Sequence, residues 1–284
     1  MKRTFISITV LSIIALLTGS VNATPVSRQV QQASLGQINT SISSQATEQL
    51  DLPLLVKTST AFFQSDRYQT ESQMLIQGGN QGAQFNAYAQ IKTIVQSNRK
   101  FRAEIAFTSP GEKPKQSALI ISDGKQVSIY RPDLRKYAVT SYEAFDQSDD
   151  SFLIGLSSSF FLVMPEDTRQ IIASGVLSKN NVLQEMGLAD NQQFKGDKST
   201  VEGEAFYVYN YTEPKDGFTF RAFVQPETAI LKQLQLVSKS EGLDVVVTEK
   251  IVQRNQNPTV TAQTFKFTPP QNAIRVKSLS ISPF

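Results

Sequence analysis

The chain has 284 residues, with 28 Lys and Arg against 25 Asp and Glu, and contains neither His nor Cys. Those two absences exclude disulfides, thiolate metal sites, an acylatable lipoprotein cysteine and every Ser-His or Cys-His catalytic pair. A net charge of +3 gives no footprint for nucleic acid, and the length suffices for a sizeable core in one large domain or two small ones.

Lys2 and Arg3 precede an apolar run from Phe5 to Leu17, and Val21-Asn22-Ala23 places small residues at the −3 and −1 positions of a cleavage site. This order predicts a secretory signal peptide over 1–23. The run is shorter than the roughly 20 residues of a membrane span. Residues 24–47 are rich in Gln and Ser and read as a flexible linker, leaving 48–284 as the folded domain. Asp51 and Pro53 predict a helix start. Leu52, Leu55, Val56, Ser59, Phe62 and Phe63 then share a helical face.

From Tyr68 the period becomes two. Phe85 to Val95, Phe101 to Phe107, Ala118 to Ile121, Val127 to Tyr130 and Tyr137 to Ser141 read as strands. Asp123-Gly124 between two of them is a strong hairpin signal. Residues 149–188 interrupt this pattern with an apolar cluster and a helix start at Pro165-Glu166-Asp167. Strands are expected again at Val201–Thr212, Phe218–Val224, Ile230–Ser238, Leu243–Gln253 and Ala262–Phe267. Several of these are apolar on both faces, so both faces need shielding, one by helices and the other by a lumen or ligand. The fold class expected is α+β: a strongly curved antiparallel sheet of about eleven strands forming an incomplete β-barrel, with helices over one side as a lid.

Leu119-Ile120-Ile121-Ser122-Asp123-Gly124-Lys125 with Ile129-Tyr130-Arg131-Pro132 resembles the strand–turn–strand segment of the LolA-type periplasmic carriers that sort outer-membrane lipoproteins. Phe265-Lys266-Phe267-Thr268-Pro269-Pro270-Gln271 resembles that family's C-terminal ending. The resemblance implies an open barrel with a helical lid over an apolar cavity for acyl chains. It implies lipoprotein acyl chains or phospholipid as ligand, an inner-membrane donor and an outer-membrane acceptor as partners, and a periplasmic location. Where the family carries an Arg-Pro pair ahead of the third strand, this chain has Gln96-Ser97-Asn98-Arg99.

The chemical motifs have plainer readings. Ser122 and Lys125 spell Ser-x-x-Lys across a hairpin turn, not along the helix that acyl-serine chemistry uses. Glu166 and Asp167 suit a helix N-terminus, and Asp149-Asp150 has no partner pair at glycosidase spacing. No catalytic residue, metal ligand or cofactor site is therefore expected. The expected acyl-chain cavity is walled by Phe101, Ile105, Leu119, Ile121, Ile129, Phe206, Val208, Phe220, Leu234, Leu236, Val245 and Val247. Phe152, Leu153, Leu156, Phe160 and Phe161 read either as a helix packed into the core or as the lid over the ligand, and the lid is the functional expectation. A one-residue slip in register would reverse each cavity assignment. The function expected is an exported, non-enzymatic carrier of acyl chains; the alternative is a lipid- or lipoprotein-sensing module acting through a protein partner. Cleavage after Ala23 predicts that N-terminal sequencing of the exported protein begins at Thr24; a chain beginning at Met1 would contradict it.

Overall fold

The computed structural model describes residues 50–79, 84–108, 115–186, 188, 194–213, 217–240 and 243–282. The expected signal peptide and linker lie outside these. Helix α1 (Leu52–Phe63) opens as the sequence predicts: the Asp51 side chain accepts from Leu54 N at 2.9 Å, and Pro53 sits in the first turn. Six antiparallel strands follow, β1 (Arg67–Gly79), β2 (Gln84–Gln96), β3 (Lys100–Thr108), β4 (Lys115–Asp123), β5 (Gln126–Arg131) and β6 (Lys136–Ser141). The β4–β5 turn is closed by Asp123 Oδ1, which accepts from Lys125 N and Gln126 N at 2.8 Å each, and Gly124 supplies φ +100°.

The interruption is helical, as expected. It comprises α2 (Tyr142–Asp146), a 3-10 turn (Ser151–Ile154), α3 (Leu156–Val163), α4 (Glu166–Ala173) and α5 (Val182–Glu185). The second run of strands is β7 (Phe194–Val201), β8 (Glu204–Glu213), β9 (Phe218–Gln225), β10 (Ile230–Ser240), β11 (Leu243–Asn255) and β12 (Ile274–Arg275). All twelve form one open sheet in the order β12-β6-β5-β4-β3-β2-β1-β11-β10-β9-β8-β7, so β1 and β11 join the two halves.

Three details differ from the sequence reading. Strand β7 is not expected from the sequence, because Phe194-Lys195-Gly196-Asp197-Lys198 has no apolar alternation; as an edge strand it needs none. The expected strand Ala262–Phe267 is instead a turn, with Thr264 N bonded to Thr261 O and Lys266 N to Gln263 O, followed by an extended segment. The two-residue β12 pairs parallel to β6.

The sheet has one main apolar face. Residues from both halves, including Phe101, Ile105, Ile129, Tyr209, Leu236 and Val247, join one buried cluster with α1, the 3-10 turn, α3 and α4. Side chains from such distant strands meet only on the inside of a curved sheet, so helices and lumen occupy the same face. The expectation of helices on one face and a lumen on the other is corrected: the far face is covered in part by the C-terminal segment. There Phe265 is buried, and Phe267 lies against Tyr130 and Tyr137 with ring centroids 6.2 and 5.6 Å apart.

Past β12 the tail turns inward. Ile281 is fully buried within the main cluster. Its amide donates to Asp150 Oδ2 at 2.7 Å. Arg131, itself buried, donates to the carbonyls of Ser280, Ile281 and Ser282 and pairs with Asp133 at 2.7 Å. The tail thus seals the core beside β6. Ile281→Ala is expected to cost about 2–4 kcal/mol of stability, read as a lower urea midpoint with an unchanged slope.

Candidate functional site

The concave face is lined by alternate residues of most of the strands. Cross-strand register places Phe101 opposite Ser122, Ala103 opposite Ile120 and Ile105 opposite Ala118, all facing the helices. On the other half, Tyr207, Tyr209 and Tyr211 of β8 oppose Val224, Ala222 and Phe220 of β9, and Leu236 lies between Phe220 and Val247. Of the residues expected to wall the cavity, Phe101, Ile105, Ile129, Phe220, Leu234, Leu236, Val245 and Val247 meet here. Leu119 and Ile121 alternate with Ala118 and Ile120 and take the opposite face, where Ile121 lines a groove with Phe265. Phe206 and Val208 likewise point away, in a small separate cluster with Phe223. These four are the members of the expected wall that the register turns to the far face.

The five expected lid residues all join the main cluster. Leu153, Leu156 and Phe161 are buried, while Phe152 and Phe160 are half-buried. Phe160 bridges the helices to the sheet, with its ring centroid 6.0 Å from Phe62, 5.8 Å from Phe63 and 6.2 Å from Phe220. Helix α1 contributes Leu54, Leu55, Phe62 and Phe63 to the same surface. The sequence shows this apolar face of α1 without assigning it to the site.

What the sequence reading missed is polar. Glu249 of β11 is fully buried, and its carboxylate accepts from Ser157 N at 2.7 Å and from Ser157 Oγ at 3.1 Å. It therefore caps α3 from across the chain. Gly155 permits the approach, since a Cβ there would lie 2.8 Å from Glu249 Oε1 and its φ is +100°. Tyr68 Oη donates to Ser157 O at 2.9 Å, and Thr93 Oγ1 donates to Ile154 O at 2.7 Å. Burial pushes the Glu249 carboxyl up from its usual range, against the opposing effect of the Ser157 and Ser72 hydrogen bonds and of Arg254. Burial also raises Tyr68.

Arg254 holds the other helix. It donates to Phe62 O, near the C-terminus of α1, at 2.6 Å, and its guanidinium lies over the rings of Phe62 and Tyr68 at 3.8 and 3.9 Å. A cation at a helix C-terminus also complements the dipole. Arg254 reaches the concave face through a bulge. In the β1–β11 register Ser72 faces Ile251 but Glu71 faces Gln253, which leaves Val252 extra and reverses the parity of the residues after it. The α1 N-terminus is tied as well: Tyr207 Oη accepts from Asp51 N at 2.9 Å, and Tyr209 Oη donates to Asp51 O at 2.7 Å.

Two surface grooves, of about 560 and 420 Å³, lie on the far face, the larger between β3–β5 and the C-terminal segment. Among the described residues no group of three Asp or Glu is placed to hold a metal, and no helix is long and apolar enough to cross a membrane. The arrangement defines a class: an open antiparallel half-barrel whose concave apolar face is closed by short helices.

No family model matches the chain, and no curated protein does. The chain is similar to several solved structures. An uncharacterized conserved protein from Thermus thermophilus is 11% identical over 80% of this chain and 99% of its own, at a TM-score of 0.41. A LolA superfamily protein from Nitrosomonas europaea is 11% identical over 77% of this chain and 99% of its own, at 0.29. A chain of the Pseudomonas aeruginosa MucA/MucB complex is 12% identical over 76% of this chain and 60% of its own, at 0.33. Likeness at this level is one of shape alone, and shape does not fix function.

The raised Glu249 carboxyl gives a pH prediction with a definite sign. A carboxyl whose folded pKa lies above its unfolded value of about 4.5 contributes stability below that pH and loses it as pH rises toward the folded value. Glu249→Gln can still accept from Ser157 and does not titrate. The melting temperature of the Gln variant is therefore expected to gain on the unsubstituted protein between about pH 4 and pH 8. A difference that is flat or falls with pH would contradict this.

Proposed function

We propose that this protein is an exported, non-enzymatic carrier that takes up acyl chains of lipoproteins or lipids on the concave face of its sheet. One observation carries the reading: among the described residues that face is an apolar surface covered by separate helices, α1 and the eight-residue α3 and α4, and not by a second sheet. Isolated helices so short are not stable in water. They stay in place through apolar contacts and a few polar ties, Glu249 and Thr93 among them, and such ties can be exchanged without unfolding the sheet. An acyl chain entering beneath them would lie between the sheet and Phe160 and its neighbours, packing its methylenes against these apolar side chains. Ten methylenes supply about 8 kcal/mol, the free energy of micromolar binding, before the cost of moving the helices is met. Binding of this kind leaves the ligand covalently unchanged, and the chain has no His or Cys to serve as the usual base or nucleophile.

Native mass spectrometry of the protein purified from its own envelope is the direct test, with a bound lipid mass expected. A stable protein complex without lipid transfer would favour the sensing module, and turnover of added lipid beyond one equivalent would make it an enzyme. Phe160 is half-buried between α1 and β9, so Phe160→Ser is expected to weaken binding of an acyl probe about tenfold while lowering the melting temperature by only a few degrees. A large fall in melting temperature with unchanged probe affinity would make it ordinary core.

A further inference from the structure

Two guanidiniums lie in the aromatic cluster that the helices press onto the sheet, one on a buried arginine and one on a half-buried arginine. Arg169 of α4 is 8% exposed, and its guanidinium lies 4.2 Å from the Phe161 ring centroid. Arg254 of β11 lies over Tyr68 at 3.9 Å, and the Tyr68 and Phe161 rings are themselves 4.9 Å apart. Arg254, Tyr68, Phe161 and Arg169 therefore form a row with a cation at each end. The Nε of each arginine is buried and has no hydrogen-bond partner. A buried donor left unbonded is costly; Arg169 rests on the face of Phe161, and Arg254 on Phe62 and Tyr68 with one hydrogen bond to Phe62 O.

The charges around the row do not neutralise it. Glu249 is the acid within its electrostatic reach on the sheet side, and its carboxylate is already engaged by Ser157. On the helix side Glu166 and Asp66 act on Arg169; Asp66 is paired with Arg67 at 3.0 Å, and no ion pair joins either acid to Arg169 among the described residues. Even with Glu249 ionised, the two cations of the row face one buried anion. Burial disfavours the charge on both arginines, and an anion placed against a guanidinium would offset that cost.

We propose that Arg169 and Arg254 form a headgroup site, so that the amphiphile accepted by this half-barrel is anionic, a carboxylate or phosphate borne on an acyl chain. The inference rests on the carrier reading and names the ligand class for the same site. Arg169 rides on a covering helix, whereas Arg254 belongs to the sheet. A chain that enters between helix and sheet and displaces Phe161 or Phe62 brings its headgroup against a guanidinium of the row. The Nε it reaches gains the acceptor it lacks, the second cation adds to the field that favours an anion, and a planar guanidinium matches a carboxylate or phosphate through two parallel N–H donors. A neutral acyl ester or alcohol offers only weak acceptors there.

The test uses the mature protein loaded with an uncharged fluorescent probe of apolar sites, displaced by dodecanoate, dodecyl phosphate or dodecanol. Both anions are expected to displace it at concentrations at least tenfold below dodecanol, and the two anions separate carboxylate from phosphate preference. Arg169→Gln and Arg254→Gln are each expected to narrow that gap, the anions losing more affinity than dodecanol does. The ligand series on the unsubstituted protein needs no variant, so loss of fold in the Arg254 variant, which also releases Phe62 O, would not spoil the test. Equal displacement by dodecanol and dodecanoate would overturn the headgroup site and leave the carrier reading standing. A gap that persists with both arginines replaced would overturn it too. Failure of the probe and all three amphiphiles to bind would overturn the carrier reading itself.

Discussion

A curved sheet of twelve strands that does not close leaves an apolar concave surface with no second sheet to cover it, and the rest of the molecule answers that constraint. Burial of apolar area is the dominant favourable term in folding, so the surface must be covered. The chain covers it with α1 before the first strand and with short helices inserted between the sixth and seventh. It seals the β6 end with its own tail, where Ile281 is fully buried and Arg131 gathers three tail carbonyls. A cover made of separate helices differs from a cover made of strands in one respect that matters for function. It shares no backbone ladder with the sheet, so it can move while the ladder stays intact.

The polar groups inside this apolar space specify where the cover sits. Glu249 and Tyr68 grip the start of α3, Thr93 the 3-10 turn, Arg254 the end of α1, and Tyr207 and Tyr209 its beginning. Two of these ties satisfy orphan backbone groups at helix ends, Glu249 the amide of Ser157 at the start of α3 and Arg254 the carbonyl of Phe62 at the end of α1. Burying a carboxylate and two guanidiniums is expensive in stability terms, whereas apolar residues of equal size would have packed without that cost. The arrangement makes sense if the cover has to be placed in one register and also released, and if the charges meet a ligand when it is.

The far face has a different character. The C-terminal segment lies across it, and Leu119, Ile121, Phe265 and Phe267 belong to that side. Apolar character on both faces of a strand thus has two separate causes here. One face meets helices and the other meets a strap of the same chain, so two-sided apolarity alone did not reveal where a ligand would go.

The sequence by itself determined the order of elements. Alternation marked most strands, Asp51 with Pro53 marked the first helix, Asp123-Gly124 marked a hairpin, and loss of period two after residue 149 marked the helical interruption. These are local preferences, and they held because local chemistry agrees with the fold at those positions. The charge at Glu249 was also legible in principle, since Val245, Val247, Glu249 and Ile251 share one parity on a strand whose inward face is apolar. Tertiary structure decided the rest. Which parity of β4 and β8 faces inward depends on strand pairing, and that separated Leu119, Ile121, Phe206 and Val208 from the concave face. The inward turn of Arg254 depends on an extra Val252, and the polar Gln253-Arg254-Asn255 that follows has no apolar alternation to show the shifted period. The row from Arg254 to Arg169 joins a strand to a helix 85 positions earlier in the chain; contact over that separation comes only from the fold, because no local preference acts over such a distance.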